Sequence, residues 1–147
     1  MKAIELISFL GKSVDDVMFR EFLETHHFNT KKFPKPERVQ KKSSNVISKL
    51  HGTELRFGFE KEVLELYEII FSKPQSDGLQ PVYKIDYPFG LFLNQKMADY
   101  EKILGKPVGY IEPQLQEYRY KNYAITIVFE PAEVDKKIMS IEIRLKL

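Results

Sequence analysis

The chain has 147 residues, and its 43% hydrophobic and 30% charged content fits one packed, water-exposed domain and excludes a disordered chain. Cysteine is absent, which excludes disulfides, thiolate nucleophiles and Cys-ligated metal centres. The 23 basic and 21 acidic residues give a net charge of +2, too small to predict non-specific binding to nucleic acid. No apolar run is long enough to cross a bilayer, and Glu5 interrupts the first one, so we expect a cytoplasmic protein with no membrane partner.

The first third of the chain predicts two helices and a basic segment. Apolar residues at helical spacing predict a helix over 2–10, which Gly11 would end. Ser13 is the predicted N-cap of a second helix that runs to about His26. The segment 31–42 holds two prolines, which exclude a helix. Its basic residues are Lys31, Lys32, Lys35, Arg38, Lys41 and Lys42.

The remaining chain predicts strands around one more helix. Extended runs at 45–50, 53–59 and 63–71 are joined by hairpin-length connections. After a break at 73–78 and a short extended piece at 82–85, Asn94 is the predicted N-cap of a helix that ends at Gly105. Further strands are predicted at 117–121, 123–129 and 138–146.

The order of helix followed by three strands therefore occurs twice, and short stretches of sequence recur with it. Residues 10–12 match 104–106 as Leu-Gly-Lys, residues 48–60 align without gaps to 118–130, and 67–71 resemble 141–145. These patterns predict a single α+β domain over 1–147, with pseudo-repeats at about 1–72 and 88–147. We expect one antiparallel sheet with helices on one face, built from two related halves of a helix plus a three-stranded meander. The other face would be open for docking.

No motif in the sequence predicts a catalytic, metal or cofactor site. His26, His27 and His51 lack the spacing of metal ligands. No serine lies in a nucleophile elbow, and no glycine-rich phosphate loop occurs. We therefore expect no enzyme activity and no cofactor.

Two charged groups and one aromatic group remain as candidates. Glu60, Glu62, Glu65 and Glu68 crowd one hairpin and its following strand. They are open to three interpretations, namely a solvated strand face, an acid and base pair, or an acidic patch for a basic partner. The segment 31–42, with Phe33 as a stacking ring, fits either an ordinary loop or a nucleic-acid contact. The tyrosines fit core, surface or interface positions equally; they are Tyr110, Tyr118, Tyr120 and Tyr123.

Three stretches carry a family resemblance: 6–16 (LISFLGKSVDD), 88–91 (PFGL) and 103–107 (ILGKP). In this order the chain resembles immunity proteins of bacterial polymorphic toxin systems, of the kind found in contact-dependent inhibition and with the Neisseria Maf toxins. The resemblance implies a cytoplasmic protein that binds the C-terminal domain of a cognate toxin, expected to be a nuclease, and blocks it by occlusion.

The sequence thus predicts a non-enzymatic inhibitor that neutralises its toxin stoichiometrically, with Glu60, Glu62, Glu65 and Glu68 as the interface. The alternative is a nucleic-acid-binding or regulatory module that uses the basic segment 31–42. A hydrolase that uses the glutamates is the third interpretation. Nucleic acid is not the expected partner, and the sequence leaves a homo-oligomer open.

Overall fold

The computed structural model describes residues 1–30, 44–48, 51–60, 63–73, 84–112, 114–130 and 136–146, without the side chains of 44–48, 59–60 and 110–112. The helices are α1 (Ala3–Ile7), α2 (Val17–Thr25) and α3 (Met97–Leu104). The strands are β1 (Ser44–Ser48), β2 (Thr53–Glu60), β3 (Val63–Ser72), β4 (Gly109–Glu112), β5 (Leu115–Tyr120), β6 (Tyr123–Phe129) and β7 (Ile138–Leu145). Within the described ranges, seven strands form one antiparallel sheet in the order β1-β2-β3-β7-β6-β5-β4.

One hydrophobic core lies on a single face of this sheet. Alternate strand residues such as Leu55 and Phe57 of β2 point into it, and all three described helices contribute buried side chains to the same cluster, among them Leu6, Phe19 and Tyr100. The predicted α+β class, with an antiparallel sheet and helices on one face, is therefore confirmed. We call the opposite face of the sheet the outer face.

Besides a register shift between Tyr110 and Glu112 of β4, two β-bulges interrupt the strand alternation, one in β3 and one in β7. Tyr67 of β3 has no residue opposite it on β2, and Met139 of β7 has none on β6. A bulge adds one residue to one strand, so the core side of β3 passes from Leu66 to Ile69 instead of to residue 68. The two extra residues remain at the surface, with Tyr67 41% and Met139 47% exposed.

The chain before α2 extends the sheet beside the first half of β3. The Gly11 N–H donates to the Leu66 carbonyl oxygen (2.8 Å), the Leu66 N–H donates to the Lys12 oxygen (3.0 Å), and the Val14 N–H donates to the Leu64 oxygen (3.0 Å). Gly11 takes φ +84°, a left-handed conformation that glycine adopts without steric cost. These bonds fix the point at which the chain leaves the sheet to begin α2.

The chain before α3 makes the same three bonds to the start of β7. The Asn94 N–H donates to the Ile138 oxygen (2.8 Å), the Ile138 N–H to the Gln95 oxygen (3.0 Å), and the Met97 N–H to the Lys136 oxygen (3.1 Å). Asn94, like Gly11, has a positive φ (+65°). The hydrogen bonds therefore make Asn94 the structural equivalent of Gly11. The sequence match of 10–12 with 104–106 instead makes Gly105, which ends α3, the equivalent of Gly11.

Both predicted helix caps differ from those observed. Helix α2 begins after Asp16, whose side chain accepts from the Phe19 N–H (2.9 Å), while Ser13 lies in a bridge to β3. Helix α3 begins after Lys96, and Asn94 is held in the sheet contact instead. In both cases the backbone of the predicted cap region pairs with a strand, so the helix begins two or three residues later in the chain.

The strands follow the predictions more closely. The hairpins β1–β2 and β5–β6 form where the aligned stretches 48–60 and 118–130 predict them, while β4 was missed. The basic segment 31–42 and most of the extended piece at 82–85 lie outside the described residues. No helix in the described part of the chain is long and apolar enough to cross a membrane.

The cap of α2 gives the first testable prediction. Asp16→Ala removes an N-cap acceptor and should lower the free energy of unfolding by about 1 kcal/mol. Asp15→Ala is the matched control, because Asp15 is exposed and its pair with Arg20 is long at 3.9 Å; a surface pair of this kind is worth less than about 1 kcal/mol. Urea titration of both variants measures the difference, and equal losses would contradict the assigned cap.

Candidate functional site

The β2–β3 hairpin projects beyond the end of β7. Strand β7 pairs with β3 over Glu68–Ser72, so the beginning of β3 has the Lys12–Val14 stretch beside it instead. At this end Val63 is 40% exposed, Tyr67 is 41% exposed and Glu65 is half-buried. We call Val63, Glu65 and Tyr67 the hairpin patch.

The bulge and a glycine together set the position of the Tyr67 ring. Gly58 lies opposite Glu65 on β2, and a Cβ built on Gly58 would be 3.2 Å from Cδ1 of Tyr67. The ring therefore lies against backbone that carries no side chain. A tyrosine that is partly exposed and held in this way is typical of an interface anchor.

The middle of the outer face carries two rows of charge. Three strands repeat the pattern Glu-x-Arg, as Glu54-Leu55-Arg56 in β2, Glu142-Ile143-Arg144 in β7 and Glu117-Tyr118-Arg119 in β5. The central residue of each triplet is buried in the core, so both charged residues lie on the outer face. These three strands run in the same direction, and each is separated from the next by one antiparallel strand.

The register places like charges of the three triplets in line. One row across the sheet reads Glu54, Ile70, Glu142, Thr126, Glu117, and we call it the acid row. The other row reads Arg56, Glu68, Arg144, Ala124, Arg119, and we call it the basic row. The like charges of neighbouring triplets lie two strands apart within a row, which is about 10 Å.

Ion pairs within the chain link the two rows. Arg56 is 3.5 Å from Glu54 and 3.3 Å from Glu68. Glu117 is 3.5 Å from Arg119 and 3.3 Å from Arg144. The acids are the more buried partners, since the three arginine side chains are 36%, 40% and 49% exposed. The guanidinium groups therefore form the accessible layer of this face.

Glu142 differs from the other acids of the outer face. Among the described residues it takes part in no ion pair of 4 Å or less. Burial raises the pKa of its carboxyl, and the nearby carboxylates of Glu68 and Glu54 raise it further, against the lowering effect of Arg56 and Arg144. The surroundings of Glu142 therefore favour the neutral form of its carboxyl.

The predicted glutamate group is divided by the fold. Glu65 belongs to the hairpin patch, whereas Glu68 is 8% exposed and bonded to Arg56 in the basic row. Glu60 ends β2, but its side chain and the whole of Glu62 lie outside the described residues. Glu65 and Glu68 both face away from the core, and whether the four act as one interface stays a prediction.

His26 and His51 lie close together and pack against aromatic side chains. His51 is buried, stacks on Phe28 with ring centroids 5.7 Å apart, and its Nε2 lies 2.9 Å from the His26 carbonyl oxygen. Burial lowers the pKa of both His26 and His51. In the described ranges, no group of three or more His, Asp or Glu side chains is placed to hold a metal ion.

The predicted tyrosine group is also divided. Tyr118 is fully buried, while Tyr120 and Tyr123 contact Phe89, with ring centroids 5.0 and 5.6 Å away. Phe89 has φ +62° in the turn Pro88–Gly90, which is a strained position for an aromatic residue. Its ring contacts hold the turn against the end of the sheet. The side chain of Tyr110 lies outside the described residues.

Glu142 gives a prediction with a definite pH dependence. Its folded-state pKa is raised, so its ionisation destabilises the fold, and stability is lost as pH rises through that value. Glu142→Gln should therefore raise the urea midpoint of dilute protein at pH 7. This gain should fade as the pH falls below the ordinary value of 4.5. Glu21→Gln, on the exposed side of α2, is the control; an equal gain there would contradict the assignment.

In comparisons with known proteins, no protein-family model, no curated protein and no solved structure matches the chain.

Proposed function

We propose that this protein is a non-catalytic inhibitor of the immunity type, which binds the C-terminal domain of a cognate toxin and occludes it. The observation that carries the proposal is the hairpin patch, where a bulge and a glycine present Tyr67 beside Val63 and Glu65. The resemblance to immunity proteins supplies the class of partner. We expect that partner to be a nuclease domain, which this protein would bind in the cytoplasm.

The hairpin patch has the composition of the centre of an interface. Tyrosine is among the residues that most often dominate binding energy, and a neighbouring aliphatic side chain excludes water from it. Glu65, with Glu60 and Glu62 at the same turn in the sequence, adds negative charge for a basic partner. A specific inhibitor buries roughly 800 Å² on each partner, so the patch would be the centre of a larger contact.

The charged rows are a weaker choice for the toxin contact. Their arginines are already paired within the chain, and a basic partner would have to displace those pairs. The hairpin patch offers an acidic residue and two exposed apolar side chains at a projecting end of the sheet instead. It can enter a cleft, which the middle of a sheet cannot.

We also infer that the chain consists of two related units, which extends the predicted halves. Support comes from the matching bonds of Gly11 and Asn94 and from the equivalent bulges at Tyr67 and Met139. The two units nevertheless differ where binding is concerned, because β3 carries a tyrosine at its bulge and β7 carries a methionine. This difference provides a control within the molecule.

Titration against the toxin domain encoded beside this gene tests the proposal. A non-catalytic inhibitor must stay bound, so inhibition should reach completion at one equivalent and fail once toxin is in excess. Residual toxin activity is measured as inhibitor is added. Completion far below one equivalent would indicate an enzyme, and no inhibition at any ratio would contradict the proposal.

The hairpin patch is tested by paired substitutions. Tyr67→Ala should weaken the complex by at least tenfold, since truncating an interface anchor costs about 2 kcal/mol or more. Met139→Ala removes the equivalent exposed bulge residue at the other end of the sheet and should leave affinity within about twofold. Gly58→Ala should also weaken binding, because its Cβ would push the Tyr67 ring from its place. Calorimetry on the three variants decides, and equal affinities for Tyr67→Ala and Met139→Ala would exclude the patch.

A further inference from the structure

We propose that two copies of this chain associate through the outer face as a weak homodimer, with the acid row of one copy lying on the basic row of the other. The inference is independent of the toxin and of the hairpin patch. It rests on the pattern of charge across β2, β3, β7, β6 and β5.

The outer face has little net charge but a strong internal order. The two rows hold the acids Glu54, Glu68, Glu117 and Glu142 and the bases Arg56, Arg119 and Arg144. A face that had evolved for a strongly basic or acidic partner would carry mainly one sign. Two lines of opposite charge, about 7 Å apart along the strands, instead suit a partner with the same two lines.

A second copy provides such a partner by symmetry. Rotation by 180° about an axis that lies between the two rows and parallel to them turns one face onto the other and exchanges the rows. Position along the rows is kept, so Glu142 would face Arg144 of the second copy, and Glu54 would face its Arg56. An axis parallel to the strands would set acid on acid, so charge selects between the two arrangements.

The uncharged positions of the rows allow this approach. Ala124 would lie opposite Thr126 of the second copy, and both side chains are small enough to leave room for the longer charged groups beside them. Ile70 would cover Glu68, which is already buried against Arg56. Facing sheets with strands nearly aligned are a common packing of β-structure.

Glu142 supplies a reason for the association. It lies at the middle of the acid row without an ion pair among the described residues, and it shares this face with Glu54 and Glu68. Arg144 of the second copy would bring a guanidinium that is about half exposed in the single chain. Each copy would therefore supply a cation to the Glu142 carboxylate of the other.

The size of the face sets the expected strength. Five strands with about five residues each cover on the order of 400 Å² on each copy, from the spacing and rise of β-strands. This is about half of what stable interfaces bury, so the dimer should be transient, with a Kd in the micromolar range. Its charged contacts should weaken as salt screens them, over about 10 Å at 0.1 M and about 3 Å at 1 M.

A charge exchange between two variants tests the arrangement. Glu54→Lys with Glu142→Lys makes two of the three acid-row carboxylates basic, and Arg56→Glu with Arg144→Glu makes two of the three basic-row arginines acidic. Each variant alone should be monomeric, and an equimolar mixture should form a heterodimer tighter than the wild-type dimer. Sedimentation equilibrium at 50 mM NaCl gives the masses, and circular dichroism checks that each variant folds. Glu21→Lys with Glu24→Lys, the same charge change on exposed positions of α2, should dimerise as the wild type does.

Two further measurements, on the wild type and on Glu142→Gln, do not depend on the folding of the charge-exchange variants. The wild-type chain should show a mass above that of a monomer at about 300 μM, well above a micromolar Kd, and should lose it in 1 M NaCl. Glu142→Gln should weaken the dimer at least threefold, although it stabilises the single chain. A wild-type chain that is monomeric at 50 mM NaCl, or a dimer that salt and Glu142→Gln leave unchanged, would overturn the proposal.

Discussion

The pairing of β3 with β7 is the interaction on which the rest of the structure depends. It joins β1-β2-β3 to β7-β6-β5-β4 through five residue pairs, from Glu68 with Arg144 to Ser72 with Ser140. The same register sends Ile69 and Ile143 into the core and Glu68 and Arg144 to the outer face. A slip of one residue would exchange the two sets, burying charge and exposing isoleucine. The core therefore fixes the order of the charged rows.

Sequence periodicity predicted the strands and the α+β class because a sheet with one buried face imposes a period of two. It could not place the bulges, since Tyr67 and Met139 are ordinary strand residues whose extra position depends on the partner strand. The helix caps were wrong for a related reason. Ser13 and Asp16 have similar capping propensity, and the bonds of the chain before α2 to β3 decide between them.

The candidate surfaces also depend on contacts between residues that are far apart in the sequence. Glu65 and Glu68 crowd together in the sequence, but the bulge and the end of β7 assign them to different surroundings. The Glu-x-Arg triplets were visible in the sequence, yet they become neighbours only through the strand order, which local pattern does not contain. Once the sheet order is known, the two rows follow from the sequence, because the triplets lie on strands that run in the same direction and place their charged residues on the same face.

The sheet order also has a consequence for how the chain folds as it is synthesised. Strands β1, β2 and β3 are consecutive and can pair as soon as they emerge, but the central neighbour of β3 is the last strand described, with Ile70 and Glu142 about 70 residues apart. Until β7 arrives, β3 presents a hydrophobic open edge flanked by Ile69 and Phe71. Closing so long a loop is slow, and an exposed edge of this kind pairs readily with other chains. The interval before β7 emerges is therefore when a nascent chain is most prone to aggregate.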